Sequence, residues 1–479
     1  MADSQASSLL SWSSITTLSI TLLFGGVLIY IFRLIFGKKT DAETASADAT
    51  VADRGAAEKA KAAKETGKSK SARAVPSKDA AAGKGTAEKY RHPLLVASLK
   101  GHSADICDGH FNASGKYLVT SAEDRSLILW TCSDFLTDDP AKEPRSKRVN
   151  LELDHASLIR FSPDSKAVIG RMHNADVVRV FKLTKNADGQ WSAPQALHDV
   201  TNQAAHANGE IRCMDIQCNG KFIMTAHDNA AIHLWPIKGG APLASVVTNL
   251  GVLHSAQISP CGRFIAASGF TPEVRVWAIV ADKSSGDVQS VEKAFELTGH
   301  SAAIPAFAFS GDSTHMLSVS KDKSFRLFDV NVDYKKRQSP RLIQHASWTA
   351  AAVDDKRPLH CALTNDSRCV VIAYRADLLI LSGVDGTVRC RIDNCLALTP
   401  GGGSVDVGRL LLDPTSGFVL VIGGRVVRVF RNLVGLEVAV EALKESLKFA
   451  SQDSVRSRIQ GQMEAAETAL QACRKKFTL

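Results

Sequence analysis

The sequence predicts an all-β, seven-bladed β-propeller with a transmembrane helix before it and α-helices after it. Three observations carry this reading: a turn-centred unit that returns seven times, a charge-free apolar run near the N-terminus, and two apolar stripes at helical spacing near the C-terminus. The unit reads "FNASGKYL" at 111, "FSPDSKAV" at 161, "IQCNGKFI" at 216, "ISPCGRFI" at 258, "FSGDSTHM" at 309, "LTNDSRCV" at 363 and "LDPTSGFV" at 412. Each pairs an apolar residue, a polar turn and a second apolar strand. A third alternating strand then ends near Trp130, Phe181, Trp235, Trp277, Phe328, Leu381 and Phe430, and a variable fourth fits before the next unit. Such a unit cannot bury both faces alone, whereas seven stacked radially can. The last unit stops at Arg431 with three strands, and "LLVASLK" (94 to 100) precedes the first without partners. Pairing the two closes the ring and removes an open edge. The propeller is therefore expected over 94–432.

From Ser4 to Phe32 no side chain is charged, and "ITTLSITLLFGGVLIYIF" (15 to 32) is mostly apolar. As a helix, this run and its flanks cross a ~30 Å hydrocarbon core. A removable signal would start basic and end in small residues, but here Asp3 precedes the run and "RLIFGKK" follows it. The expectation is an uncleaved single-pass anchor over 1–37. Arg33, Lys38 and Lys39 follow the span and no Lys or Arg precedes it, which leaves the C-terminal bulk, the propeller included, in the cytosol. Residues 38–93 have no apolar stripe and read as a flexible basic tether. As a coil it spans ~40 Å root-mean-square. The chain's net charge of +9 is concentrated there: Lys38 to Arg91 holds 13 Lys/Arg against 8 Asp/Glu.

The ten cysteines form neither a CxxC pair nor a dense framework, so free thiols in a reducing compartment are expected. No histidine joins them at zinc-site spacing, and neither a metal nor a cofactor is expected. After Asn432, Leu436, Val440, Leu443 and Leu447 share one helical face. A second stripe runs Val455, Ile459, Met463, Ala466, Leu470 and Cys473. These helices, expected over 433–479, either dock on the propeller and each other or serve a partner.

Several units are preceded by a dipeptide ending in histidine, as at Gly101-His102, Asp154-His155, Ala205-His206, Leu253-His254 and Gly299-His300. With the seven units, this pattern resembles the WD40-repeat family. The resemblance implies a hydrogen-bonded set within each blade, made of that histidine, a Ser/Thr on the second strand, an Asp in the next turn and a Trp on the third strand. The matching residues are His102, Thr120, Asp124 and Trp130 in blade 1. In blade 5 they are His300, Ser318 and Asp322, with Phe328 in place of Trp. Blade 3 offers Thr225 with Asn229 at the aspartate position, and blade 4 has Thr271. Buried polar groups need partners, because an unsatisfied one costs ~1–3 kcal/mol. These sets therefore read as structural rather than catalytic. No GxSxG elbow accompanies them, "GKGT" (84 to 87) lacks the frame of a phosphate loop, and "GGGS" (401 to 404) reads as a linker. An enzyme and a small-molecule substrate are not expected.

The stretches "VNLELDHASLIRFSPD", "SPCGRFIAASGFTPEVRVW" and "AFELTGHSAAIPAFAFSGDS" resemble a membrane-anchored branch of that family. That resemblance implies a scaffold at the cytosolic face of the endoplasmic reticulum. For animal members it also implies a role beside the stress kinase that phosphorylates translation initiation factor 2, in the unfolded protein response, with contacts to translation components. Turn residues beside the polar sets, Glu123, Arg125, His227, Lys321 and Lys323, are the candidates for partner contact. An alternative is an adaptor for RNA or ribosomes. "DYKKRQSPR" (333 to 341) supplies Lys335, Lys336 and Arg337 for phosphates and Tyr334 for stacking.

Overall fold

The computed structural model describes residue 90 and residues 92–477 except 137–143, 186–190, 193, 202–208, 283–285, 350–352, 355, 398–404 and 450–451. Strand β1 (Leu95–Lys100) is followed by seven sets of strands. Blade 1 holds β2–β5 (Ile106–Phe111, Tyr117–Ala122, Ser126–Thr131, Ser146–Asn150), and blade 2 holds β6–β9 (Ala156–Phe161, Ala167–Met172, Val178–Lys182, Gln195–Asp199). Blade 3 holds β10–β13 (Ile211–Ile216, Phe222–His227, Ala231–Pro236, Ala244–Val247), and blade 4 holds β14–β17 (Leu253–Ile258, Phe264–Gly269, Val274–Ala281, Val288–Leu297). Blade 5 holds β18–β21 (Ala306–Phe309, His315–Val319, Ser324–Asp329, Arg341–Ser347), and blade 6 holds β22–β25 (Leu359–Leu363, Cys369–Tyr374, Asp377–Ser382, Val388–Ile392). Blade 7 adds β26–β28 (Arg409–Leu412, Phe418–Gly423, Val426–Arg431), and its fourth strand is β1. Leu95 sits opposite Phe430 and Lys100 opposite Val426, so the two ends of the repeat array close one sheet.

The recurring turn has one geometry in all seven blades. The residue before the second strand's hairpin takes a left-handed backbone at Gly115, Ser165, Gly220, Gly262, Ser313, Ser367 and Ser416, with φ between 59° and 71°. Its N–H donates three residues back, as from Gly115 to the Asn112 carbonyl and from Ser416 to that of Asp413. Glycine adopts this conformation freely. The serines reach it because their turns are held by neighbouring side chains: the Ser310 hydroxyl donates to Asp312 at 2.6 Å and accepts from His315 N at 2.9 Å.

First strands of neighbouring blades pack side by side around the axis. Buried apolar residues form seven clusters among the described residues, one in each cleft between adjacent blades. The cleft between blades 7 and 1 buries Leu99, Leu118, Trp130 and Leu420, so β1 is packed as well as paired.

Two helices follow, α1 (Leu433–Phe449) and α2 (Asp453–Phe477). Asn432, fully buried, caps α1 by accepting from Gly435 N at 3.0 Å. Leu433, Val434 and Val438 join the cluster between blades 6 and 7, and Leu470 of α2 reaches it too. Lys444 to Glu467 and Arg474 to Glu437, each 2.7 Å, tie the helices together. The helices are thus docked. The stripe of Leu436, Val440, Leu443 and Leu447 is half-buried or buried, and Leu436 packs against the same cluster as Val434 and Val438.

The span expected at 15–32 and nearly all of the tether lie outside the described residues. Among the described residues no helix is long and apolar enough to cross a membrane. Nine cysteines, all but Cys473, are described as free thiols.

Candidate functional site

In blade 1 the polar set forms a continuous chain. Trp130 Nε1 donates to Thr120 Oγ1 at 3.0 Å, and Thr120 Oγ1 meets His102 Nε2 at 2.8 Å. His102 Nδ1 lies 3.3 Å from Asp124 Oδ1. A carboxylate only accepts, so Nδ1 carries the proton and Nε2 accepts from the threonine hydroxyl. Asp124 also accepts from Ser103 N at 2.7 Å, Ser126 Oγ at 2.5 Å and Arg148 Nη2 at 3.0 Å. Burial raises its pKa, but the Ser126 hydroxyl, Ser103 N–H and His102 outweigh this and hold the carboxyl well below its usual range. Replacing Asp124 with alanine orphans these donors at once, and a loss of about 2–3 kcal/mol is expected in denaturant unfolding.

Blade 5 repeats the chain without the tryptophan. His300 Nε2 meets Ser318 Oγ and His300 Nδ1 meets Asp322 Oδ2, both at 2.9 Å. Blade 3 rebuilds it differently. Trp235 Nε1 donates to Thr225 Oγ1 at 2.8 Å, but the histidine is His227, two residues along the same strand, at 3.0 Å from that hydroxyl. His206, expected in this role, lies outside the described residues. Blade 2 inverts the arrangement: Asp154, in the loop before its first strand, accepts from Asn174 N, Ala175 N and His155 N. In blade 4 the Thr271 hydroxyl is buried without a hydrogen-bond partner among the described residues.

A second polar assembly lines the axis and has no counterpart in the sequence reading. Asp108, on the first strand of blade 1, has a side chain 1% exposed. Its oxygens accept from Gly109 N at 2.8 Å, Ile159 N at 3.0 Å and Arg160 Nη1 at 2.8 Å, and Arg409 Nε stands 3.2 Å away. Arg160 continues toward Asp215 of blade 3 at 3.5 Å. Burial raises the Asp108 pKa, yet Arg409, Arg160 and the two backbone N–H groups bring it below the ordinary value. One carboxylate thereby joins blades 7, 1 and 2.

The profile of the WD domain, G-beta repeat, matches residues 94–131, 199–236 and 292–329. Transducin beta-like protein 2 of Homo sapiens is 39% identical over 383 residues, which cover 80% of this chain and 82% of the relative. The chain belongs to the WD40-repeat family. The Mus musculus transducin beta-like protein 2 is 38% identical over 387 residues. Nuclear distribution protein PAC1 of Arthroderma otae is 24% identical over 320 residues, 65% of its length.

In this WD40 propeller Glu123 and Arg125 are exposed, and Lys321 and Lys323 are half-buried, on the turns beside Asp124 and Asp322. Arg125 and Lys323 occupy the left-handed position of those turns, at φ 57° and 72°. His227 differs from the expectation of a contact residue: it is 1% exposed, its ring held between the Thr225 hydroxyl at 3.0 Å and the Gly209 carbonyl at 2.9 Å. Lys335, Lys336 and Arg337 are exposed on a short 3-10 turn, and Lys336 pairs with Asp333 at 3.1 Å. Tyr334 is not offered for base stacking. Its ring packs edge-on against Phe264, 5.8 Å between centroids, beside the cluster between blades 4 and 5. Among the described residues no group of three or more His, Cys, Asp or Glu could hold a metal.

Burial keeps several histidines of the WD40 fold neutral. His110 is pushed down to about 3 by burial and then by Arg160, and His360 to about 4 by burial and then by Arg409. Each depressed histidine contributes stability that is present above the unfolded value near 6.5 and is lost as pH falls toward the folded value. Stability is therefore expected to drop by about 1.4 kcal/mol per pH unit for each such histidine below pH ~6.5. Denaturant midpoints measured from pH 7.5 to 5 check this.

Proposed function

We propose that this chain is a membrane-anchored, non-catalytic scaffold that assembles protein complexes at the cytosolic face of the endoplasmic reticulum. The observation that carries the reading is how the recurrent Ser/Thr, His and Asp residues are spent. They hydrogen-bond one another and backbone groups inside their own blades, which leaves a rigid ring with exposed turns rather than a nucleophile facing a pocket. The likeness to transducin beta-like protein 2 over four-fifths of the chain supports the same reading. The apolar run at 15–32 supplies the anchor and 38–93 the tether, with the N-terminus lumenal. Partners are proteins, among them stress-kinase and translation-initiation components, and Glu123, Arg125, Lys321 and Lys323 are the contact residues on the turn face.

The test is quantitative mass spectrometry of co-purifying proteins in mild detergent, with and without RNase, for the full chain and for a version lacking residues 1–37. Enrichment of translation factors or a membrane kinase with the anchored form alone supports the reading. The same unrelated soluble set with both forms overturns it. The exposure of Lys335, Lys336 and Arg337 favours a second reading, phosphate contact with RNA. Salt-sensitive RNA retention lost in a triple alanine variant identifies that contact.

A further inference from the structure

Where blades 1 and 2 meet, Tyr117 and Trp191 stand at 81° to each other with ring centroids 5.1 Å apart, forming two perpendicular walls. Lys185 Nζ occupies the corner between them, 4.9 Å from the Tyr117 centroid and 4.4 Å from that of Trp191. The other cations that stack on rings among the described residues, Arg263, Arg428 and Arg431, use one ring each. The walls are fixed from behind, because both rings pack against the cluster between blades 1 and 2. Tyr117 N also donates to Asn112 Oδ1 at 2.9 Å, and Ser192 N, beside Trp191, donates to the Thr184 carbonyl at 2.8 Å. Lys185 itself is exposed.

The resident cation matches this corner incompletely. A primary ammonium brings three N–H donors. Among the described residues, Lys185 Nζ has one acceptor, the Tyr117 hydroxyl at 2.9 Å, and no carboxylate pairs with it. Its remaining donors are left to water, so the lysine head is a surface cation held mainly by π faces.

We propose that Tyr117 and Trp191 bind the quaternary ammonium end of an external ligand, with Lys185 as the cation it displaces. A quaternary ammonium carries no N–H and spreads its charge over methyl groups, so it needs ring faces rather than acceptors. Two perpendicular rings without a carboxylate therefore suit it better than they suit a primary amine, whose compact charge is strongly hydrated. The Lys185–Tyr117 hydrogen bond lies at the surface. Once it opens, water satisfies both partners, and displacement leaves no buried polar group unpaired. Tyr117 also borders an open pocket of ≈ 430 Å³ with Lys116, Thr131 and Ser133, which gives room for the rest of such a ligand.

The experiment is isothermal titration of the full chain in mild detergent with tetramethylammonium and with choline, against ammonium and sodium as chlorides at matched ionic strength. Saturable binding of the two quaternary ions, absent with ammonium and sodium, is the expected result. Lys185→Ala vacates the corner and is expected to tighten binding about two- to fivefold, the range of about 0.5–1 kcal/mol for an exposed cation–π contact converted at 1.4 kcal/mol per tenfold. Trp191→Leu, which keeps an apolar side chain against the cluster, is expected to abolish binding. Should that variant fail to fold, the exposed Lys185→Ala substitution carries the test by the direction of its effect. No saturable binding in either the wild type or Lys185→Ala, equal binding of ammonium, unchanged or weaker binding in Lys185→Ala, or undiminished binding in folded Trp191→Leu overturns the proposal.

Discussion

Replacing Asp108 with asparagine is expected to cost about 3–5 kcal/mol of folding stability, the range seen when one member of a buried ion pair is removed. The side chain keeps its shape, so the loss reports charge rather than volume. Arg160, itself 8% exposed, then keeps its cation in the channel wall without the carboxylate that accepts from it. Arg409 loses the same neighbour. Denaturant unfolding measures this as a shift in midpoint at unchanged slope. The control is Asp164→Asn, in an exposed turn, which is expected to shift it far less. Because the folded Asp108 pKa is depressed, its contribution is present above the unfolded value near 4 and is lost as pH falls below it. The gap between wild type and Asp108→Asn should therefore narrow in acid. A cost under about 1 kcal/mol at neutral pH would mean that the pair behaves like an exposed one, screened by channel water.

Removing residues 1–100 should abolish cooperative folding, whereas removing 1–89 should leave it nearly intact. The difference is β1. Without it, blade 7 has three strands, Val426–Arg431 becomes an open edge, and Leu99 leaves the cluster it shares with Leu118, Trp130 and Leu420. An unpaired edge of this kind templates aggregation. Soluble yield and the sharpness of the thermal transition distinguish the two truncations. A cooperative transition in the 101–479 chain would show that the ring holds without its closure.

Much of the propeller was legible because its turns repeat a local constraint. Every blade needs a left-handed residue just before its second strand, and Gly or Ser after Asn, Asp, Ser, Cys or Thr meets that need within six residues of sequence. The closure of β1 on blade 7 was also legible, since one strand lacked partners at each end of the repeat. The blade 1 and blade 5 sets were visible as motifs spaced 18 and 22 residues apart. The blade 3 set was not, because His227 reaches Thr225 from two positions along the same strand face, a spacing that also fits an ordinary strand. Asp154 was visible only as a member of a dipeptide, not as the acceptor for its blade's turn. The axial network left no spacing signal at all. Asp108, Arg160, Asp215 and Arg409 come from four blades, and only ring closure brings the last of them beside the first.

The pairing of β1 with β28 also sets a schedule for synthesis. Leu95 and Val426 are separated by the whole repeat array, so β1 leaves the ribosome long before its partner strand exists. At about 5–20 residues per second, those roughly 330 residues take on the order of 15–65 s. Through that interval a strand with apolar Leu95, Val96 and Leu99 waits without a sheet, while blades 1 to 6 can already form. The final step of folding is therefore the capture of the oldest strand by the newest, and the nascent chain needs protection longest at its beginning.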